Sequence, residues 1–222
     1  MKGEAMDEKI LSVYEVLFAH YGDLQWWPAS STYEMIVGAV LVQNTAWSNV
    51  EKAIANFGDR LNPQFVLGAD IATLADVIRS AGFFNQKAAY LKAVTAWYEK
   101  YNFDVTTVQR EALEKLRPEL LSVKGIGKET ADSILLYGFG FPTFVIDAYT
   151  MRLCGRYTVD AGKGYDAFKA HFEANIPRDV KLYNNYHAVI VYLCKDFCRK
   201  SKPLCDKCPL EETCKRNGIS GV

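Results

Sequence analysis

Apolar residues in this 222-residue chain recur at the three- and four-residue spacing of helices, without convincing alternation at every second position. Ile10, Tyr14, Leu17, Phe18 and Tyr21 form one such stripe. Tyr33, Ile36, Val37, Val40 and Leu41 form another, Val50, Ile54 and Phe57 a third, and Leu91, Val94, Tyr98 and Tyr101 a fourth. That spacing places side chains on one face of an α-helix and on no face of a strand. Start signals agree. Ser31 with Glu34 and Ser48 with Glu51 read as capping boxes, and Asn62-Pro63 reads as an N-cap followed by proline at the first helical position. Gly82 reads as a stop. Phe144-Val145-Ile146 is too short to count as a strand, so the expected fold is all-α. No internal repeat, low-complexity tract or long linker interrupts the pattern.

With 50% hydrophobic residues, the chain can bury a sizeable core in one large domain or two small ones. It opens on MKGEAMDEKI, which is charged and lacks the apolar stretch of a secretory signal. Its longest apolar runs, such as Met35 to Val42, are too short to span a bilayer. A soluble intracellular protein is expected. The formal net charge is zero, which taken alone argues against a nucleic-acid binder. If nucleic acid is the partner, positive charge must be local and backbone N–H groups must share the work.

Of six cysteines, four fall at the end of the chain with the spacing C-x6-C-x2-C-x5-C: Cys198, Cys205, Cys208 and Cys214. Thiolates gathered in one loop of an intracellular chain point to metal rather than to a disulfide framework. Donor chemistry alone admits tetrahedral zinc and a [4Fe–4S] cluster equally. Cys154 and Cys194 fall outside the pattern and read as buried structural residues. Between the first two ligands lie Arg199, Lys200 and Lys202, a local basic patch placed to meet a phosphate backbone.

A second constellation is Leu121-Ser122-Val123-Lys124-Gly125-Ile126-Gly127-Lys128-Glu129-Thr130-Ala131, between a helix ending near Leu121 and one running from about Lys128 to Tyr137. Glycines on either side of one apolar residue permit a tight turn and close backbone approach. With the helix N-terminus that follows, the turn's N–H groups form an anion site suited to phosphate. Ile126 would plug the turn into the core. Further on stands Asp147, at the end of the apolar Phe144-Val145-Ile146 segment, where a carboxylate can cap the next helix and be held rigidly by doing so.

Together, the Gly125-Ile126-Gly127 hairpin, Asp147 and the four-cysteine loop resemble the helix-hairpin-helix DNA glycosylases, specifically the endonuclease III branch. The resemblance spans most of the chain and favours [4Fe–4S] over zinc. It implies a six-helix barrel domain over residues 24–137, and a second domain, residues 1–23 and 138–222, that holds the cluster. It implies that Lys124, Gly125, Gly127 and Lys128 grip a DNA phosphate, often with a bound monovalent cation. It makes Asp147 the catalytic carboxylate and double-stranded DNA with damaged bases the partner. The protein would act as a monomer, without a membrane, inside the cell, and in the cytoplasm at the nucleoid if its source is prokaryotic. Bifunctional members carry a lysine two residues after the second hairpin glycine. Here that position is Glu129, and a carboxylate cannot form the Schiff base that leads to strand cleavage.

Gln25-Trp26-Trp27-Pro28 and Gln43-Asn44-Thr45-Ala46-Trp47 are similar to segments of the endonuclease-III-like 3-methyladenine glycosylases. By that resemblance Trp26, Pro28 and Trp47 stack on an extruded base, with Glu129 at the same pocket. Gln43 fills the gap left in the duplex, and Phe83, Phe84 and Asn85 supply the opposing wedge. A purine alkylated at N3 or N7 is cationic, and indole faces attract cations. Removal of oxidised pyrimidines or mismatched bases is the alternative reaction. A DNA-binding iron–sulfur protein without catalysis is the alternative class.

Overall fold

A computed structural model describes residues 8–219, and among them there is no strand. The helices are α1 (Glu8–Tyr21), α2 (Thr32–Leu41), α3 (Trp47–Phe57), α4 (Pro63–Gly68), α5 (Ile71–Val77), α6 (Phe84–Glu99), α7 (Val105–Gln109), α8 (Leu113–Ser122), α9 (Lys128–Ser133), α10 (Ala148–Tyr157), α11 (Tyr165–Asn175) and α12 (Val180–Asp196). The all-α expectation holds. The described residues form two compact units: Trp27–Phe141 makes one, and the residues before and after it make the other. The expected barrel boundaries were 24 and 137.

The Trp27–Phe141 unit, α2 to α9, is organised around α2. Seven consecutive residues, Met35 to Leu41, are buried, so this helix has no solvent face and forms the centre of the core. Leu74, Leu91, Val94, Trp97, Leu116, Leu120 and Ile134 close around it. Helix starts follow the expected chemistry in most places. Ser31 Oγ accepts from Glu34 N at 3.1 Å, and the Glu34 carboxylate returns to Ser30 N at 3.3 Å. Asn62 Oδ1 accepts from Phe65 N at 2.9 Å, with Pro63 leading α4. The Ser48–Glu51 expectation fails. The helix begins one residue earlier, at Trp47, behind an Ala46 N-cap that offers no side-chain acceptor, so Ser48 already lies inside the first turn.

In the other unit, α1 and α12 pack together, and the Tyr186 hydroxyl donates to Ile10 O at 2.7 Å. Phe144 and Phe172 stack with centroids 4.5 Å apart, and Tyr183 and Tyr186 meet Phe144 edge-on. The buried stripe of α1 is Ile10, Val13 and Leu17. Phe18, expected in that stripe, is 44% exposed, because the buried line steps by three and four residues through Val13 and leaves Tyr14 and Phe18 at its margin.

Candidate functional site

Val123 to Gly127 join α8 to α9. Gly125 sits at φ +85, and a Cβ there would lie 2.1 Å from Cγ of Tyr90, which projects from α6. Only glycine admits both that backbone and that ring. Ile126 is buried, and its N–H donates to Val123 O at 3.1 Å, so the hairpin plugs into the core as expected. Gly127 has ordinary extended geometry, and a Cβ on it would meet nothing within 4 Å. Its bareness leaves open space in front of the α9 N-terminus. Lys124, Lys128 and Glu129 are exposed around that space.

The hairpin is braced from two sides. Arg117 of α8 pairs with the fully buried Asp132 of α9 through two bonds of 2.8 and 3.0 Å. Gln43 Nε2 donates to Gly125 O and to Thr130 Oγ1, each at 3.0 Å. In this state Gln43 is thus a strut between the 42–46 loop and the hairpin. The exposed residue of that loop with left-handed backbone is Asn44, at φ 54. Phe83 is its counterpart after the Arg79–Ala81 turn, at φ 47 and 64% exposed. Phe84 is half-buried, with the Arg79 guanidinium 4.8 Å above its ring, and Asn85 is exposed.

The paired tryptophans part company. Trp27 packs in the Trp27–Phe141 unit, 5.1 Å from Trp47 at an interplanar angle of 85° and 5.4 Å from Tyr137. Gly38 lies beneath, where a Cβ would already be 3.5 Å from Trp27 and 3.6 Å from Trp47. Tyr137 belongs to a π turn, Ile134–Gly138, that ends the hairpin's second helix. Trp26 packs instead on Tyr192 of α12, 5.9 Å away, with Lys195 Nζ 5.8 Å from each ring. Within the Trp27–Phe141 unit the ring that meets Trp47 is Trp27. Pro28 is exposed beside it.

Asp147 is the N-cap of α10. Its Oδ1 accepts from Thr150 N at 2.7 Å and from Thr150 Oγ1 at 2.9 Å, and Oδ2 lies 3.5 Å from Nε2 of the buried His187 on α12. Burial pushes this carboxyl's pKa up. His187 and the Thr150 bonds outweigh it, so the net pKa lies below the ordinary value and the group is an anion at neutral pH. His187 carried no signal in the sequence, since a lone histidine in a helical stripe is ordinary core.

Beyond α12, Cys198, Cys205, Cys208 and Cys214 line one small pocket, with Leu153, Leu193, Phe197 and Leu210 as its apolar walls. Among the described residues, no three Cys, His, Asp or Glu side chains converge as a single metal ion requires. Two arginines of α10 fix the loop. Arg156 Nη1 donates to Cys198 Sγ at 3.2 Å and to Arg199 O at 2.8 Å, and Arg152 Nε donates to Cys198 O at 2.8 Å. Cys194, with these cations, holds the Cys198 thiol below its usual range. Arg199, Lys200 and Lys202 are exposed, while Cys154 and Cys194 are buried. No helix among the described residues is long and apolar enough to cross a membrane.

Two helices joined by a glycine hairpin, with an ionised aspartate capping a helix further on, define the helix-hairpin-helix class of DNA repair folds. The pattern of the HhH-GPD superfamily of base excision DNA repair proteins matches residues 37–178, and the chain belongs to that superfamily. It is 48% identical over 213 residues to a Methanocaldococcus jannaschii protein assigned by name to the DNA repair glycosylases, covering 93% of this chain and 96% of that one. It is 29% identical to endonuclease III of Sulfolobus acidocaldarius over 83% of this chain and 82% of that one. Among solved structures, the H. pylori 3-methyladenine DNA glycosylase bound to 1,N6-ethenoadenine superposes with a TM-score of 0.72 at 26% identity, over 85% of this chain and 96% of that one. A non-covalent endonuclease III–DNA complex shares the fold, with a TM-score of 0.81 at 21% identity over 96% and 97%.

Proposed function

We propose that this glycosylase removes alkylated purines of the 3-methyladenine and 7-methylguanine type from double-stranded DNA and leaves an intact abasic site. The observation that carries the reading is the aromatic group Trp27, Trp47 and Tyr137. A cationic purine gains from electron-rich ring faces more than a neutral base does. Because Trp27 and Trp47 stand edge to face, a base would stack on one ring and meet the edge of another. Likeness to the H. pylori 3-methyladenine glycosylase supports the same substrate class.

The alkylated base is already a good leaving group, so the protein need not protonate it. Asp147, kept ionised by His187 and Thr150, stabilises the positive charge that builds on the sugar as the bond to the base breaks, and orients the water that attacks. Glu129 stands exposed on the first turn of α9, where a lyase would need an amine, so release stops at hydrolysis. The hairpin from Lys124 to Lys128 takes a phosphate, with or without a monovalent cation, and Arg199, Lys200 and Lys202 take others. Cys198, Cys205, Cys208 and Cys214 hold a [4Fe–4S] cluster. One thiolate per iron suits four sulfurs around a shared cavity better than convergence on one ion. When bound, the cluster pins the basic loop.

Incubation with duplexes carrying 3-methyladenine, 7-methylguanine, thymine glycol or uracil tests the substrate. Release of the methylated purines is expected, and release of thymine glycol alone would sink the reading. Borohydride should trap no adduct on abasic DNA. Asp147→Asn should abolish release while DNA binding persists; no release by the wild type from any of these duplexes would leave a binding protein.

A further inference from the structure

Lys87 is 2% exposed, on the first turn of α6. Its ammonium donates to Leu41 O at 2.8 Å and to Ala81 O at 2.7 Å. Leu41 is the last residue of α2, and Ala81 the last of the Arg79–Ala81 turn. Each carbonyl therefore stands immediately before a loop that turns through a left-handed non-glycine residue, Asn44 at φ 54 and Phe83 at φ 47. Left-handed backbone at a bulky residue such as phenylalanine is strained and persists only where its surroundings hold it. Burying an ammonium is itself unfavourable, and a methionine of similar length would avoid that. A lysine here is explained by what it holds: two separate carbonyl ends, both rich in partial negative charge, drawn to one nitrogen.

We propose that Lys87 is a positioning residue that keeps the Asn44 loop and Phe83 in fixed register, so that the two enter a duplex together at a damaged site. This rests on the reading above of a protein that opens DNA, and goes beyond it by assigning the coupling to a side chain that touches no nucleotide. Lys87 acts through backbone carbonyls, so its loss releases both loops at once, whatever side chains they carry.

The test uses the cluster-loaded full chain and three probes. These are an undamaged duplex, the same duplex with a tetrahydrofuran abasic analogue, and that duplex with 2-aminopurine opposite the analogue. Wild type should prefer the analogue duplex and raise the 2-aminopurine signal. Lys87→Met should bind the analogue duplex about tenfold more weakly or worse and lose the 2-aminopurine signal. It should bind undamaged duplex as wild type does. Phe83→Ala should lose the same signal, and the double variant should lose no more than Phe83→Ala alone. If Lys87→Met fails to fold, Lys87→Gln is read by the same criteria. A folded variant that keeps wild-type preference and signal overturns the proposal, as does full additivity with Phe83→Ala. A wild type that does not distinguish the analogue from undamaged duplex instead defeats the underlying reading of a DNA-opening enzyme.

Discussion

Arg117→Met is the perturbation that most directly probes how the hairpin is held. The guanidinium makes two parallel bonds, 2.8 and 3.0 Å, to a carboxylate with no solvent exposure, while Arg117 itself is only partly covered. Removing one partner of a buried ion pair costs about 3–5 kcal/mol. For a surface pair the cost would be about 0–1 kcal/mol. The two expectations are far enough apart for urea unfolding to separate them. The variant's midpoint should drop by that free energy divided by the slope, with the slope unchanged. Arg117→Met combined with Asp132→Leu should recover most of the loss, because no buried charge remains. A single variant within about 1 kcal/mol of wild type, or a double variant no better than the single, would refute the reasoning that this pair locks α8 to α9. The affinity for undamaged duplex should fall with the single variant, since the hairpin rides on both helices.

Gly125→Ala should cost on the order of 2 kcal/mol or more, from the left-handed backbone and the ring of Tyr90 where the methyl would go; thermal melting checks it. Asp147 has a depressed pKa, so its pairing contributes stability above the ordinary carboxyl pKa of 3.8 and loses it as pH falls through the lower folded value. Asp147→Asn should therefore lower the urea midpoint at pH 7 and cost progressively less below about pH 4, and a cost that grew on acidification would contradict the sign. Among the described residues the buried Tyr183 hydroxyl has no hydrogen-bond partner. Tyr183→Phe should leave stability unchanged or raised by up to about 1–3 kcal/mol, and a clear loss on melting would show that the hydroxyl is engaged.

The sequence disclosed what lies along the chain and concealed what depends on meetings across it. Helix faces, the Asn62 and Asp147 caps, the need for Gly125 and the buried Ile126 all follow from local chemistry, and each is visible in a window of a few residues. Which indole packs on Trp47 did not follow. Adjacent indoles look alike in sequence, and only tertiary packing sends one to Tyr192 and the other to Trp47. His187, Arg152, Arg156 and Lys87 escaped for a related reason, since a single polar residue in a helical stripe reads as surface until its distant partner is known. Ser48 does not cap its helix because a capping motif favours an N-cap without deciding where a helix begins, and α3 starts behind Ala46 with no side-chain cap at all. Phe18 lies outside its stripe because Val13 fills the buried line of α1 better.

Helix α6 carries Lys87 beneath the two loops, Tyr90 beneath Gly125, and Lys92, whose ammonium gathers Leu67 O at 2.7 Å and Ala69 O at 2.5 Å. Both lysines hold main-chain oxygen, which every amino acid supplies. The tips of the loops can therefore exchange one side chain for another without loosening their moorings. A chain built on such a helix can change what its loop tips present while the bonds that hold those loops stay as they are.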